Sequence, residues 1–495
     1  MKDEKKFEKY LENKADFNGD FYKIENNINL ENQCNNKATY KSNKMPRGAK
    51  IGLAFGIVAA IIPFVAIGTV ATGILASSIK TEYKYKEKSI KYSLNDSMIY
   101  KNQSFEALNS IKYKETKGNN AIDSTFVKNF NSFAYDFVKN DLTNSNYLIS
   151  PLSAYYNLNI VSLLSSNSTV NDEFDSGLKA DKETRNNELN KIFDNNFYKN
   201  DNGTTQIYNG AFFNNSYTLN TDYIDILTKN NVEAYSMDFT YNNLDKIIDW
   251  VNTRLDTKDV INRDDFNFDN FKTVYILSTL FYKNKWLYSF KDSSTYKSDF
   301  INGNSVNKVS FMYHKYGSIY SQNDKYFSFF DYYENGYKIK YVTSNSDNIS
   351  TLDAISGSDF ITINQDDYKE GIIDLSVPKI NYSYKSFLDD NVKGLGINTV
   401  FDRNSDNFPD LFSDVDTTNN PDNYQYLDFI KQYNSIEFDE TGTMAKTYTL
   451  SGMGMAGAPA TREDNTIIVK LDRPFAYVIY DESNIPLYVG YYANC

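Results

Sequence analysis

Residues Ile436–Gly457 read IEFDETGTMAKTYTLSGMGMAG. The segment begins as a strand and becomes a long run of small residues. At the period of two that a strand imposes, one face carries Thr443, Ala445, Thr447, Thr449, Ser451, Met453 and Met455. That face holds no charge, and its first five residues are small. The opposite face carries Met444, Lys446, Tyr448 and Leu450. The pattern suits a segment that enters a sheet with one face buried, and it equally suits a flexible loop with no role. Gly452, Gly454 and Gly457 also spell G-x-G-x-x-G. A dinucleotide loop of that form follows a strand and opens a helix within a βαβ unit. Here Pro459 and a charged turn follow, then only strand-like sequence to Cys495. Asp472, at the spacing of a ribose-binding acid, falls inside that strand-like sequence. The glycines are therefore not read as a nucleotide site.

Working outward, NTIIVKLDRPFAYVIYDESNIPLYVGYYANC at the C-terminus reads as strand, strand, a turn around Glu482 to Pro486, and a last strand. IIDLSVPKINYSY is a strand whose proline predicts an edge or a break. Thr273–Phe290 begins as a strand buried on both faces. Earlier, Phe126, Phe130, Phe133 and Phe137 recur at helical spacing, with Asp123 or Ser124 as cap. Pro151 behind Ser150 predicts the first turn of a second, apolar helix. Helices come first and strands last, without repeats, so residues 121–495 are expected to form one α+β domain.

The 495-residue chain is 16% aromatic, enough for a substantial core. Its net charge of −12 argues against nucleic-acid binding, which needs clustered Lys and Arg. Cys34 and Cys495 sit at opposite ends, and His314 is the single histidine, read as an ordinary strand or loop residue. No zinc or other metal set, no cofactor motif and no nucleophile–base pair follows from such a composition. Residues 51–79, IGLAFGIVAAIIPFVAIGTVATGILASSI, contain no charge. At about 1.5 Å per residue this run crosses a hydrocarbon layer of about 30 Å. Lysines flank it on both sides, so the positive-inside rule nearly ties. The expected organisation is a disordered polar tail (1–50), a transmembrane signal anchor (51–79), a polar stalk (80–120) and the α+β domain outside the membrane. Cys34 and Cys495 would then lie on opposite sides and form no disulfide.

Six motifs in order make residues 121–495 resemble a serpin. They are NYLISPLSAYYNL (Asn146, Ser150, Pro151, Ser153), IIDWVNTRLDTKDVI (Asn252), LFYKNKWLYSF (Lys283, Trp286, Phe290), IDLSVPKINYSY (Pro378, Lys379), IEFDETGT (Glu440, Gly442, Thr443) and LDRPFAYVIYDESNIPLYVG (Arg473, Pro474, Phe475, Gly490). With an Asn- and Tyr-rich, AT-biased composition, the resemblance is to a membrane-anchored bacterial member. It implies a large central sheet, smaller sheets, about eight to nine helices and an exposed reactive loop. It also implies that the chain is no enzyme but a suicide substrate. A serine protease cleaves the loop, and the freed strand inserts into the central sheet and distorts the acyl-enzyme. The uncharged face found above is what insertion requires, since a charge there arrives buried and unpaired.

The resemblance further assigns roles. Glu440, Gly442, Thr443, Ala445, Thr447 and Thr449 form the hinge, with Gly442 at the bend where the loop leaves its strand. Asn146, Ser150, Ser153, Ser278, Gln432 and Trp286 form the shutter and breach. Ser278 stands where the family usually has Asn, and Gln432 where it has His. Counting the family's usual seventeen residues from Glu440 puts the reactive bond at Ala456-Gly457. Met455, Met453 and Arg462 are alternatives. Ala456 or a methionine suits elastase-like or subtilisin-like proteases, and Arg462 trypsin-like ones. A monomer on the outer face of the cell membrane is expected. The competing function is a non-inhibitory serpin fold used for surface binding or adhesion.

Overall fold

The computed structural model describes residues 105–240, 243–255, 263, 266, 272–345, 350–444 and 466–494. The chain divides into two units, 1–96 and 97–495, and every described residue lies in the second.

Strand β1 is Phe105–Ala107 and helix α1 is Ser124–Val138. Asp123 caps α1 by accepting from Phe126 N, and the four phenylalanines predicted to share a face are buried, three of them against Tyr155. After β2 (Tyr147–Ile149), Ser150 caps α2 (Pro151–Leu163), with the proline in the first turn as expected. Helix α2 is apolar on nearly every side and is buried nearly all round, as a helix in the middle of a domain must be. Next come α3 (Ser168–Gly177), α4 (Lys182–Asn195), β3 (Tyr198–Asn200), β4 (Gly203–Asn214), α5 (Thr221–Lys229), β5 (Val232–Met237) and α6 (Leu244–Arg254). The strand-rich half has β6 (Val274–Lys285), β7 (Tyr296–Asn302), β8 (Ser305–Gln322), β9 (Tyr326–Tyr332) and β10 (Lys338–Ser344). It continues through α7 (Thr351–Ala354), β11 (Lys369–Pro378), β12 (Ile380–Phe387), α8 (Asp389–Gly394) and β13 (Lys431–Phe438). The last strands are β14 (Gly442–Met444), β15 (Thr466–Lys470), β16 (Phe475–Tyr480) and β17 (Pro486–Tyr492).

The described strands form two sheets. The first has eight strands in the order β1-β5-β4-β6-β14-β13-β12, with β3 added to β4. The second has nine, β15-β11-β8-β9-β10-β16-β17-β2, with β7 added to β8. The expected smaller sheets are thus joined into one. The joint is the 18-residue β8, which pairs with β11 along most of its length and with β9 at its end. Pro378 marks a break, as its missing N–H demands: β11 ends there in the second sheet and β12 starts at Ile380 in the first. Eight α-helices occur among the described residues.

Two expectations about the N-terminal region meet the structure differently. Residues 51–79 lie outside the described residues, and no helix among those described is long and apolar enough to cross a membrane. The stalk reading is corrected from residue 105 onward. There β1 pairs with the edge of β5, Ile111 is buried, and the Tyr113 ring stacks on Phe197 at 4.7 Å. The Tyr113 hydroxyl donates to the buried Glu233 at 2.6 Å. Three scattered anchors in a polar stretch suffice to dock it on an open sheet edge.

Candidate functional site: hinge, breach and shutter

The site starts at the end of β13. Asp439 Oδ1 accepts from Thr441 N (2.8 Å), Thr441 Oγ1 (2.6 Å) and Gly442 N (3.0 Å), which closes a tight turn. The chain therefore doubles back at once. Strand β14 enters between β13 and β6, antiparallel to both, with Thr443 opposite Phe438 on one side and Asn284 on the other. A Cβ on Gly442 would lie 2.2 Å from Asn284 O and 3.0 Å from Lys285 Cα. Close approach to the β6 backbone, not the bend, is what requires glycine here, and this corrects the expected role. The bend belongs to Asp439. Thr443, first residue of the small uncharged face, is buried beneath the sheet, its hydroxyl 2.6 Å from Tyr333 OH.

The breach lies around that turn. Trp286 is fully buried and stacks on Tyr333 at 4.6 Å, with edge contacts to Phe290 and Phe438. Its Nε1 donates to Asp439 O at 2.8 Å, and its backbone N to Thr441 O at 3.1 Å. Glu440 is paired with Lys379 at 2.6 Å and accepts from Thr295 Oγ1 at 2.7 Å. Burial pushes its carboxyl up, but the bonds from Lys379 and Thr295 outweigh that and hold it below the usual range. His314 lies in β8, as expected, its ring 3.8 Å from that of Phe290.

Below β14 the sheet is open. Lys285 N bonds Asn202 O and Asn214 N bonds Thr273 O, so odd-numbered residues of β6 face β4 and even-numbered ones face away. Along 274–282 of β6 and 431–436 of β13, no strand among the described residues occupies the gap. The gap opens into a cavity of about 730 Å³ bounded by α2. Side chains stand in for the missing strand at the free β6 carbonyls. Asn157 Nδ2 bonds Ile276 O (3.1 Å), Ser153 Oγ bonds Ser278 O (2.9 Å) and Tyr488 OH bonds Leu280 O (2.8 Å).

The structure brings together four of the six predicted shutter and breach residues around this gap. Gln432 accepts from Ser150 N at 2.8 Å and donates to Ser150 O at 2.9 Å. Ser150 Oγ accepts from Ser153 N, and Ser153 reaches β6. The two halves of the split sheet are thus tied through the first turn of α2. The Ser278 hydroxyl is buried without a hydrogen-bond partner among the described residues. Trp286 belongs to the breach instead. Asn146 lies apart from both, where its Oδ1 accepts from Ala493 N (2.8 Å) and Asn494 N (3.0 Å) and fixes the end of β17. Ala445, Thr447, Thr449, Met453, Met455, Ala456, Gly457 and Arg462 lie outside the described residues. Sequence reasoning missed Tyr333, Asp439, Asn157 and Tyr488. Only Asp439, in D-E-T-G, carried a local turn signal.

Comparison with known proteins identifies this split sheet with a strand start seated at its head. The family model described as Serpin (serine protease inhibitor) matches residues 128–495. The chain belongs to the serpin family. Among solved structures it is similar to the thermophilic serpin tengpin in its native state, at 23% identity and a TM-score of 0.64, covering 77% of this chain and 97% of that one. It is also similar to Serpin48 of the insect Tenebrio molitor (18% identity, TM-score 0.62, 76% and 100% covered). A third is thyroxine-binding globulin in complex with thyroxine (17%, 0.60, 74% and 98%). At these identities the likeness is one of fold. No curated protein sequence matches.

Proposed function

We propose that this serpin is a suicide-substrate inhibitor of serine proteases, displayed on the outer face of a membrane through residues 51–79. The observation that carries the reading is β14, whose three residues all pair with β6, with Thr443 and Met444 paired to β13 as well, at the head of an open slot. An inserted strand that continued this register would set Ala445, Thr447 and Thr449 beneath the sheet, between Tyr282, Leu280 and Ser278 of β6 and Ile436, Asn434 and Gln432 of β13. Each is small and uncharged, so each enters without burying a charge. Lys446 and Tyr448 fall on the other face. The protein contributes no catalytic group in this reading; it lends the bond Ala456-Gly457 to an elastase-like or subtilisin-like enzyme, or a bond at Arg462 to a trypsin-like one. The uncharged run at 51–79 supports the membrane display.

The test mixes the full chain with one protease of each class and resolves the products on denaturing gels. A complex that survives boiling, with a new C-terminus at Ala456 by mass spectrometry, is expected. Clean loop cleavage with no complex would overturn inhibition and favour a serpin fold used as a surface binder.

A further inference from the structure

Helix α6 rests on a small core of its own. Its Ile247, Trp250 and Val251 pack with Phe212 of β4, Tyr235 and Met237 of β5 and Tyr275 of β6, in a cluster separate from the main apolar core. Strand period explains the separation. Val232 and Ala234 belong to the main core, while Glu233, Tyr235 and Met237 share the other face of β5, the one towards α6. Trp250 lies close on β4 because residue 210 is glycine: a Cβ there would come 2.8 Å from Trp250 Cζ2.

Residues 105–117 reach this small core at two places. The first is an aromatic chain. The Phe105 ring stacks on Tyr235 at 5.0 Å, Tyr235 stacks on Phe212 at 5.1 Å, and Phe212 meets Trp250 edge to face at 5.6 Å. The second is the buried carboxylate of Glu233. Its Oε2 accepts from Tyr235 OH (2.6 Å) and, on α6, from Trp250 Nε1 (2.7 Å) and Arg254. Its Oε1 accepts from Tyr113 OH at 2.6 Å. The Arg254 guanidinium lies over Trp250 (4.2 Å) and Tyr208 (5.3 Å), and the Tyr113 ring meets Tyr208 edge-on at 5.1 Å. A buried carboxylate is tolerated when its oxygens are satisfied, so losing the Tyr113 hydroxyl weakens the network that also anchors Trp250 and Arg254. Further contacts fix the segment along the sheet edge. The Asn109 amide prolongs the β1 pairing, donating to Val232 O and accepting from Ala234 N, both at 2.9 Å, and Lys117 pairs with Glu482 at 2.7 Å.

We propose that residues 105–117 are a latch for α6: through Phe105 and Tyr113 they hold that helix against the first sheet, and their release loosens it. Val251 of α6 and Leu255 just beyond it line the cavity behind the open gap, so a loosened α6 opens that wall to solvent. Residues 1–104 join the domain through this segment, which makes the latch the place where a change in the preceding chain would reach the cavity. None of these contacts involves the reactive loop, so the latch stands independently of insertion.

Amide hydrogen exchange of the full chain, followed by mass spectrometry, tests the latch in the wild type, Tyr113→Phe and Phe105→Ala. Tyr113→Phe removes one hydroxyl and keeps the ring that packs on Phe197 and Tyr208. In each variant, peptides covering 244–255 are expected to exchange about fivefold faster, the effect of one hydrogen bond of ordinary strength, while peptides of α1 and α2 keep wild-type rates. Binding of anilinonaphthalene sulfonate, an apolar fluorescent dye, rises in parallel as the cavity wall loosens. Unchanged exchange at 244–255 overturns the proposal, even if 105–117 itself loosens, because the segment then merely covers a sheet edge. An equal rise in α1, α2 and α6 also overturns it, since that is a global loss of stability. Faster exchange of α6 with unchanged dye binding overturns the link to the cavity. Should Phe105→Ala fail to fold, Tyr113→Phe decides alone.

Discussion

Gly442→Ala is the most direct probe of the hinge. The added methyl carbon would sit 2.2 Å from Asn284 O and 3.0 Å from Lys285 Cα. Both are backbone atoms of β6, and β6 is held along its other edge by eleven consecutive pairings with β4. No flexible side chain can yield. One relief is to strain β6, and overpacking of that kind costs about 1–3 kcal/mol. The other is to expel β14, which forfeits its ladder bonds and the Thr443–Tyr333 hydroxyl bond, at about 1 kcal/mol each. The two routes are of similar size, so the loss expected in the intact full chain is about 2–3 kcal/mol. Under the proposed insertion, position 442 keeps its place against β6, so the cleaved form is expected to lose a similar amount. Guanidinium unfolding of both forms reads the loss, and amide exchange at Thr443 separates the routes, since expulsion speeds it and strain does not. Under the proposed inhibitory mechanism, the number of inhibitor molecules consumed per protease trapped should rise, because insertion would start at this residue. A wild-type midpoint together with wild-type exchange at Thr443 would refute the close approach and, with it, the seated hinge.

Two further outcomes follow from the breach. Trp286→Phe keeps most of the ring packing on Tyr333 but removes the donor to Asp439 O, leaving a half-buried carbonyl short of a partner. A loss of about 1–3 kcal/mol is expected by chemical denaturation of the full chain. Glu440 has a folded pKa below its unfolded one, so its contribution is complete above the ordinary Glu range and is lost as the pH falls through the depressed folded value. Lys379→Met removes the main partner that lowers it, so burial is opposed chiefly by the Thr295 bond and the value rises. Acid-induced exposure of the Thr443 amide should then begin at higher pH than in the wild type, and an unchanged acid profile would contradict the assigned role of the Lys379–Glu440 pair.

What the sequence disclosed depended on the range of the interaction that shaped each residue. The cap at Asp123, the Pro151 turn and the break at Pro378 are local, and each was legible because a cap, a first-turn proline and a missing N–H act within a few residues. The smaller sheets were expected only from the family resemblance, and nothing local reports that β8 runs unbroken for 18 residues and joins them. The segment from Phe105 to Lys117 was misread because its docking relies on Glu233 and Phe197, far along the chain. Tyr333 is hidden for the same reason: it meets Thr443 across 110 residues. Gly442 is the instructive case between these limits. Its identity was legible and its reason was not, since flexibility and close approach both call for glycine, and only the position of Asn284 O separates them. The small face of the loop was legible by a different route. Strand periodicity appears there although only Gly442–Met444 is paired in the described structure, and Thr443 already lies on the side the period assigns. The proposed insertion would use that alternation, because it sets an uncharged face beneath the sheet.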